Sequence, residues 1–159
     1  MKPIHHCKLR IFADYRQFYL WDPVASERLA PTEWTDDDVH RRIKIADHVV
    51  VICPERNMEV PVHIRLFDKD PGFTLGQWDH IAEAPLLIQS GILEVHECTG
   101  SDLAAFSVAP GQYRIRSMHC SLGQLSEDGL EGEDHYQVDI WPSQTKTMII
   151  IKQWEEGNW

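Results

Sequence analysis

A period of two is the pattern that most limits what this chain can fold into. In "EVPVHIRLF", residues 59–67, Val60, Val62, Ile64 and Leu66 alternate with Glu59, Pro61, His63 and Arg65. Successive side chains of a strand point to opposite faces, so the segment reads as a strand with one dry and one wet face. Pro61 has no N–H to give to a ladder and suits an edge or a strand start. Further segments share the β-branched or aromatic content and the Gly, Pro, Asn or Asp boundaries of strands: 7–12, 16–21, 48–53, 84–89, 92–97, 104–108, 112–120, 135–141 and 147–154. Ser90-Gly91 reads as a tight hairpin and Pro110-Gly111 as a turn. Short strands at close intervals predict a mainly β chain, an antiparallel β-sandwich or flattened barrel forming a single domain over residues 1–159.

One helix interrupts the strands. "WTDDDVHRR", residues 34–42, sets three carboxylates in a row, Asp36, Asp37 and Asp38, which could grip a cation or start a helix. Thr35 is a good N-cap, with Asp38 at the third helical position. Asp36 and Asp37 fill the first turn, where the helix dipole favours negative charge. Trp34 and Val39 occupy the positions of a hydrophobic staple, and Val39, Ile43 and Ala46 form one apolar stripe. Adjacent helical residues point about 100° apart, so three consecutive Asp do not converge on one ion. The stretch predicts a short α-helix near residues 36–46 and no metal site.

The charge is uneven. The net charge of -10 falls entirely on residues 70–159, which hold 4 Lys/Arg against 14 Asp/Glu, while residues 1–69 balance at 11 and 11. That excludes the basic footprint of direct nucleic-acid binding and fits either simple solubility or a basic partner. "SLGQLSEDGLEGED", residues 121–134, is a long loop with no base. Its Glu127, Asp128, Glu131, Glu133 and Asp134 are the candidate partner-binding residues. No apolar stretch reaches the ~20 residues of a membrane span. The first residues do not resemble a signal peptide, which points to the cytoplasm. Cys7, Cys53, Cys98 and Cys120 are widely spaced and read as free, mostly buried thiols.

Little else suggests catalysis. The nine His include no H-x-H or H-x-x-x-H pair, and no nucleophile elbow, P-loop or dinucleotide fingerprint is present. Asp79-His80 are strand neighbours and so point apart, which reads as a strand entry or polar loop and not as a dyad. No catalytic residue and no cofactor is expected. Of the six Trp, most suit a core or its rim, and Trp154 and Trp159 near the C-terminus could anchor an interface.

Several pieces in this order resemble the competence protein J family, the DNA-entry nuclease inhibitors of bacteria: "YRQFYLWD" (15–22), "EWTDDDV" (33–39), "IADHVVV" (45–51), "RN" (56–57) and "VHIRLF" (62–67), with a looser "PGQYRIR" (110–116). The resemblance implies a small β-rich protein that inhibits a bacterial DNA-degrading nuclease by binding it, with no catalysis of its own. The chain departs from that pattern by extra residues around 23–31 and 70–84 and in the acidic loop, and no interface residue carries over. A small-ligand or carbohydrate-like binding module, with aromatics lining a pocket, is the alternative. A cross-strand His/Asp/Glu metal enzyme is a third.

Overall fold

The computed structural model describes residues 1–155. In chain order its elements are β1 (His5–Phe12), β2 (Phe18–Trp21), α1 (Asp36–Arg41), β3 (Ile43–Ala46), β4 (Val49–Ile52), β5 (Glu59–Leu66), β6 (His80–Ile88), β7 (Ile92–Glu97), β8 (Asp102–Ser107), β9 (Gly111–Cys120), β10 (His135–Pro142) and β11 (Ile149–Lys152). They form a β-sandwich of a six-stranded sheet, β1-β5-β10-β9-β6-β11, and a five-stranded sheet, β3-β4-β2-β7-β8. Every ladder is antiparallel except β5 with β10, where Tyr136 lies beside Val62 in parallel register. Each segment expected to be a strand is one. Between the sheets, Val60, Val62, Ile64, Ile115, Val138 and Ile140 meet Phe18, Leu20, Val50, Ile52, Leu93 and Val95. These are the apolar phases of the period-two patterns, buried because water is excluded between two facing sheets.

The outer faces are also covered. Tyr19, Trp21, Val49, Val51 and Cys53 form a second apolar cluster with Trp34 and Ala30 packed on it. The indole of Trp21 donates to Glu94 at 3.0 Å, and Arg28 from the same covering segment grips that carboxylate at 3.0 Å. On the other sheet, Arg116 lies between Phe73 and Trp141, 4.5 Å from each ring, and pairs with Asp70 and Glu83. Arg28, from the residues around 23–31, and Asp70 and Phe73, ahead of β6, thus cover Glu94 and Arg116 on the sheet faces, while Arg28 and Asp70 themselves stay half-exposed.

Several expectations are corrected. The helix ends at Arg41, and Arg42 caps it in the left-handed region (φ 59°). "IKIA" then runs on as β3, paired with β4, because Ile43 fits a strand alternation with Ile45 as well as the helical stripe with Val39 and Ala46. Val39 consequently faces solvent at 56% exposure and Ala46 is exposed; only Ile43 of the expected stripe is buried. Pro61 is not on an edge: β5 lies between β1 and β10. It is tolerated because pairing with β10 starts only at Val62. Ser90-Gly91 joins strands of different sheets and is no hairpin. Buried Asp22 holds that crossover by accepting from the Gln89 and Ser90 N–H groups at 2.7 and 2.8 Å. Of the four thiols, all free, only Cys53 is fully buried.

The cap itself is as expected. Thr35 Oγ1 accepts from the Asp38 N–H at 3.1 Å, and Asp38 Oδ2 accepts from the Thr35 N–H at 3.0 Å. Lys44 adds an ion pair to Asp38 at 2.6 Å. Thr35→Ala should cost about 1 kcal/mol in chemical denaturation, the usual worth of an N-cap. No change in midpoint would mean that β3 alone holds the turn of helix in place. Among the described residues no helix is long and apolar enough to cross a membrane.

Candidate functional site

The acidic loop is ordered by its own hydrogen bonds. Leu125 bridges Gly132, the Ser126 N–H donates to the Glu131 carbonyl at 2.8 Å, and the Glu133 N–H donates to the Gln124 carbonyl at 2.9 Å. At its tip Asp128 Oδ1 accepts from the Ser126 hydroxyl at 2.6 Å and the Leu130 N–H at 3.0 Å, which holds its carboxyl below the usual range. Gly129, at φ 71°, makes the turn that most side chains would strain. The loop is therefore a small hairpin that displays Glu127, Asp128, Glu131 and Glu133 to solvent.

Asp134, the fifth candidate, is turned inward. It is 1% exposed, pairs with Arg56 at 2.7 Å and accepts from the Tyr136 hydroxyl at 2.6 Å. It belongs to the hairpin's foundation and not to its surface. Arg56 also donates to the Leu130 carbonyl at 3.0 Å, so one guanidinium ties the tip of the hairpin to its base.

A cleft of about 560 Å³ opens next to this hairpin. Glu55 on its wall is the neighbour of Arg56 in the chain, and its N–H donates to the same Tyr136 hydroxyl at 2.9 Å. Arg42 pairs with Glu55 and donates to the Trp154 carbonyl at 3.0 Å, stitching the C-terminal segment to the end of α1. His40 and Glu155 add a contact at 2.9 Å. Tyr15, Arg16 and Trp34 also line the cleft. Tyr15 (φ 57°, ψ 21°) and Arg16 (φ 57°) are consecutive left-handed residues without a glycine. Each such position costs on the order of 1–3 kcal/mol and needs surrounding structure to persist. Here the Tyr15 N–H is held by Asp14 Oδ1 and Asn57 Oδ1, both at 3.1 Å.

Behind the cleft lies a buried polar chain that sequence reasoning missed. His80 Nε2 donates to the Arg41 carbonyl at 2.8 Å, and its Nδ1 accepts from the Trp154 N–H at 3.0 Å. Burial, the largest cause, lowers its pKa from 6.5 to about 4. His119 packs 5.2 Å from the His80 ring and 4.9 Å from Tyr136. Its Nε2 shares a 2.7 Å hydrogen bond with Ser117, and burial holds its pKa well below the ordinary value. Asp79 and His80 do not form a dyad: the Asp79 carboxylate accepts from the Leu122 N–H at 2.9 Å. Trp154 is half-buried against the core and is no free anchor, and Trp159 lies outside the described residues.

Among the described residues no group of three or more His, Cys, Asp or Glu could hold a metal ion. The three carboxylates of α1 do not converge; Asp38 is spent on the cap and on Lys44. A Trp-lined pocket with polar walls, the feature tied above to ligand binding, is present.

No protein-family model matches the chain, and no curated protein matches it. Solved structures with the same fold include ComJ from Bacillus subtilis, described as an inhibitor of the DNA-degrading activity of NucA. It aligns with a TM-score of 0.64 at 18% identity over 89% of this chain and 98% of its own. A protein described as crocagin biosynthetic gene J aligns with a TM-score of 0.58 at 17% identity over 88% of this chain and 98% of its own. Identities this low show a shared fold.

Proposed function

We propose that this protein is a non-catalytic, cytoplasmic inhibitor that binds a basic DNA-degrading nuclease through its acidic hairpin. The observation that carries this reading is the hairpin itself. Four exposed carboxylates, Glu127, Asp128, Glu131 and Glu133, stand on a hydrogen-bonded support with no base among them. Such a row competes with DNA phosphate for a basic cleft and steers a basic protein toward it. The fold shared with ComJ, itself an inhibitor of a DNA-degrading activity, points the same way. Four free thiols fit a reducing compartment.

The test is charge neutralisation on the hairpin. Glu127→Gln, Asp128→Asn, Glu131→Gln and Glu133→Gln together leave the buried Asp134 pair intact. Measured against the nuclease captured from the native host, affinity should fall roughly tenfold or more at low salt, mainly through the on-rate, and its salt dependence should flatten. Unchanged affinity and salt dependence would exclude the hairpin as the docking element.

One observation favours a second reading, a small-ligand module. The volume of the Trp34 cleft, about 560 Å³, falls in the usual range for ligand sites.

A further inference from the structure

We infer that the cleft beside Trp34 seats a peptide segment of the protein partner, with a carboxylate of that segment gripped by Arg16 and an apolar side chain set against Tyr15, Trp34 and Val39. This rests on the protein-binding reading and adds a second contact of opposite charge to the acidic hairpin.

Arg16 is the first ground. The chain has nine arginines. Eight of them pair with carboxylates of the protein: Arg10, Arg28, Arg41, Arg42, Arg56, Arg65, Arg114 and Arg116. Among the described residues, Arg16 alone has no such partner, in a protein of net charge -10 where acids are plentiful. A guanidinium is a planar fork matched to a carboxylate, and this one is exposed and lines the cleft.

The turn that presents Arg16 is the second ground. Two consecutive left-handed residues without glycine persist only where their surroundings enforce them; Glu27 and Arg28 are a second such pair, away from the cleft, so what counts here is that the turn holds Tyr15 and Arg16 in place. The enforcement is explicit here. Asp14 and Asn57 hold the Tyr15 N–H, and the Thr99 hydroxyl holds Asp14 in turn at 2.7 Å. The result is a Tyr15 that is 70% exposed and lines the cleft with Arg16.

The lining chooses the ligand class. Tyr, Trp and Arg are the residues that carry most interface energy, and the cleft has Tyr15, Trp34 and two arginines, of which Arg42 is paired with Glu55. Val39, which the folded helix leaves exposed, adds apolar surface. Asp36, Glu55 and Glu155 lie on the same walls, so a polyphosphate or a nucleic-acid strand is repelled. A single carboxylate carries one charge, which the Arg16 fork can match and outweigh, and a peptide can set an apolar side chain beside it. The cleft also adjoins the hairpin through Glu55 and Arg56, so a protein docked on the hairpin brings its own loops over the opening.

The experiment pans a displayed random-peptide library against the full chain, then measures each enriched peptide against the wild type, Arg16→Glu, Tyr15→Ala and the neutralised hairpin. Thermal unfolding of each variant checks the fold; both cleft residues are exposed, so it should be unchanged. The expected peptides pair Asp or Glu with an aromatic or aliphatic neighbour and lose at least about tenfold in affinity on Arg16→Glu, as for a central interface arginine. They bind the neutralised hairpin as they bind the wild type. No enrichment, or peptides that bind Arg16→Glu as well as wild type, would overturn the cleft inference. Basic peptides lost only on hairpin neutralisation would overturn it too, while leaving the acidic-face reading intact.

Discussion

Asp134→Ala should lower the stability of the fold by about 3–5 kcal/mol, because it strips a buried charge of its partner. Arg56 is 5% exposed and Asp134 1%, and the guanidinium has only the Leu130 carbonyl left once the carboxylate is gone. The Tyr136 hydroxyl loses its acceptor at the same time, and it in turn positions the Glu55 backbone on the wall of the cleft. The damage therefore reaches the base of the hairpin, one wall of the cleft and the sheet between them. A buried pair is costly to break and much less costly to replace as a whole, so Arg56→Met/Asp134→Ala should be more stable than Asp134→Ala alone. Urea titration of the wild type, the single variant and the double variant decides this. If the double variant loses more than the single one, the unpaired arginine is not the cause of the loss.

Stability should also fall steeply in mild acid, with His80 contributing about 3 kcal/mol. Its pKa drops from 6.5 in the unfolded chain to about 4 in the folded one, so between those values the unfolded state binds the extra proton. The contribution is complete above pH 6.5 and is lost as the pH falls toward 4. His119, buried beside it and shifted the same way, adds a loss of the same sign. The hydrogen bonds show why the ring resists the proton. Nδ1 of His80 accepts from the Trp154 N–H, so a proton there sets two donors against each other and frees the C-terminal segment. Asp22 takes over in stronger acid. Burial raises its carboxyl, but the N–H groups of Ala25, Ser90 and Gln89 and the Ser90 hydroxyl outweigh that and hold it at about 2. Its contribution is lost as the pH falls from about 4 through 2. Unfolding free energies between pH 7.5 and 4.5 should slope strongly in the wild type and less in His80→Gln. A flat wild-type profile would mean that His80 is not buried as a neutral ring.

What was legible in the sequence follows from how local each signal is. Strands with one apolar face, such as Val60 to Leu66, announce themselves by period alone, and so does the cap at Thr35, because its partners lie within one turn. "IKIA" failed because Ile43 satisfies both the helical stripe with Val39 and Ala46 and a strand alternation with Ile45, and the left-handed Arg42 that decides between them has no composition signal. Ser90-Gly91 has the residues of a hairpin, but whether the next strand stays in the sheet depends on Asp22, far away in the chain. The acidic hairpin could be found by charge, yet nothing in "GED" separates the exposed Glu133 from the buried Asp134; that depends on Arg56. His80, His119 and Tyr136 come together only through the pairing of β6, β9 and β10, so no spacing rule reveals them. Arg16 is the same kind of case. Its meaning is that no carboxylate among the described residues pairs with it, which appears only when the other arginines are seen to have one.

The central claim is that this protein acts by binding and silencing a DNA-degrading enzyme. The direct measurement titrates the purified chain into a DNA-degradation assay of the protein it captures from its native host. We expect degradation to stop at a one-to-one ratio with the wild type, and the neutralised hairpin to need a large excess. A captured fraction without DNA-degrading activity, or one whose activity the chain leaves untouched at saturation, would contradict the account.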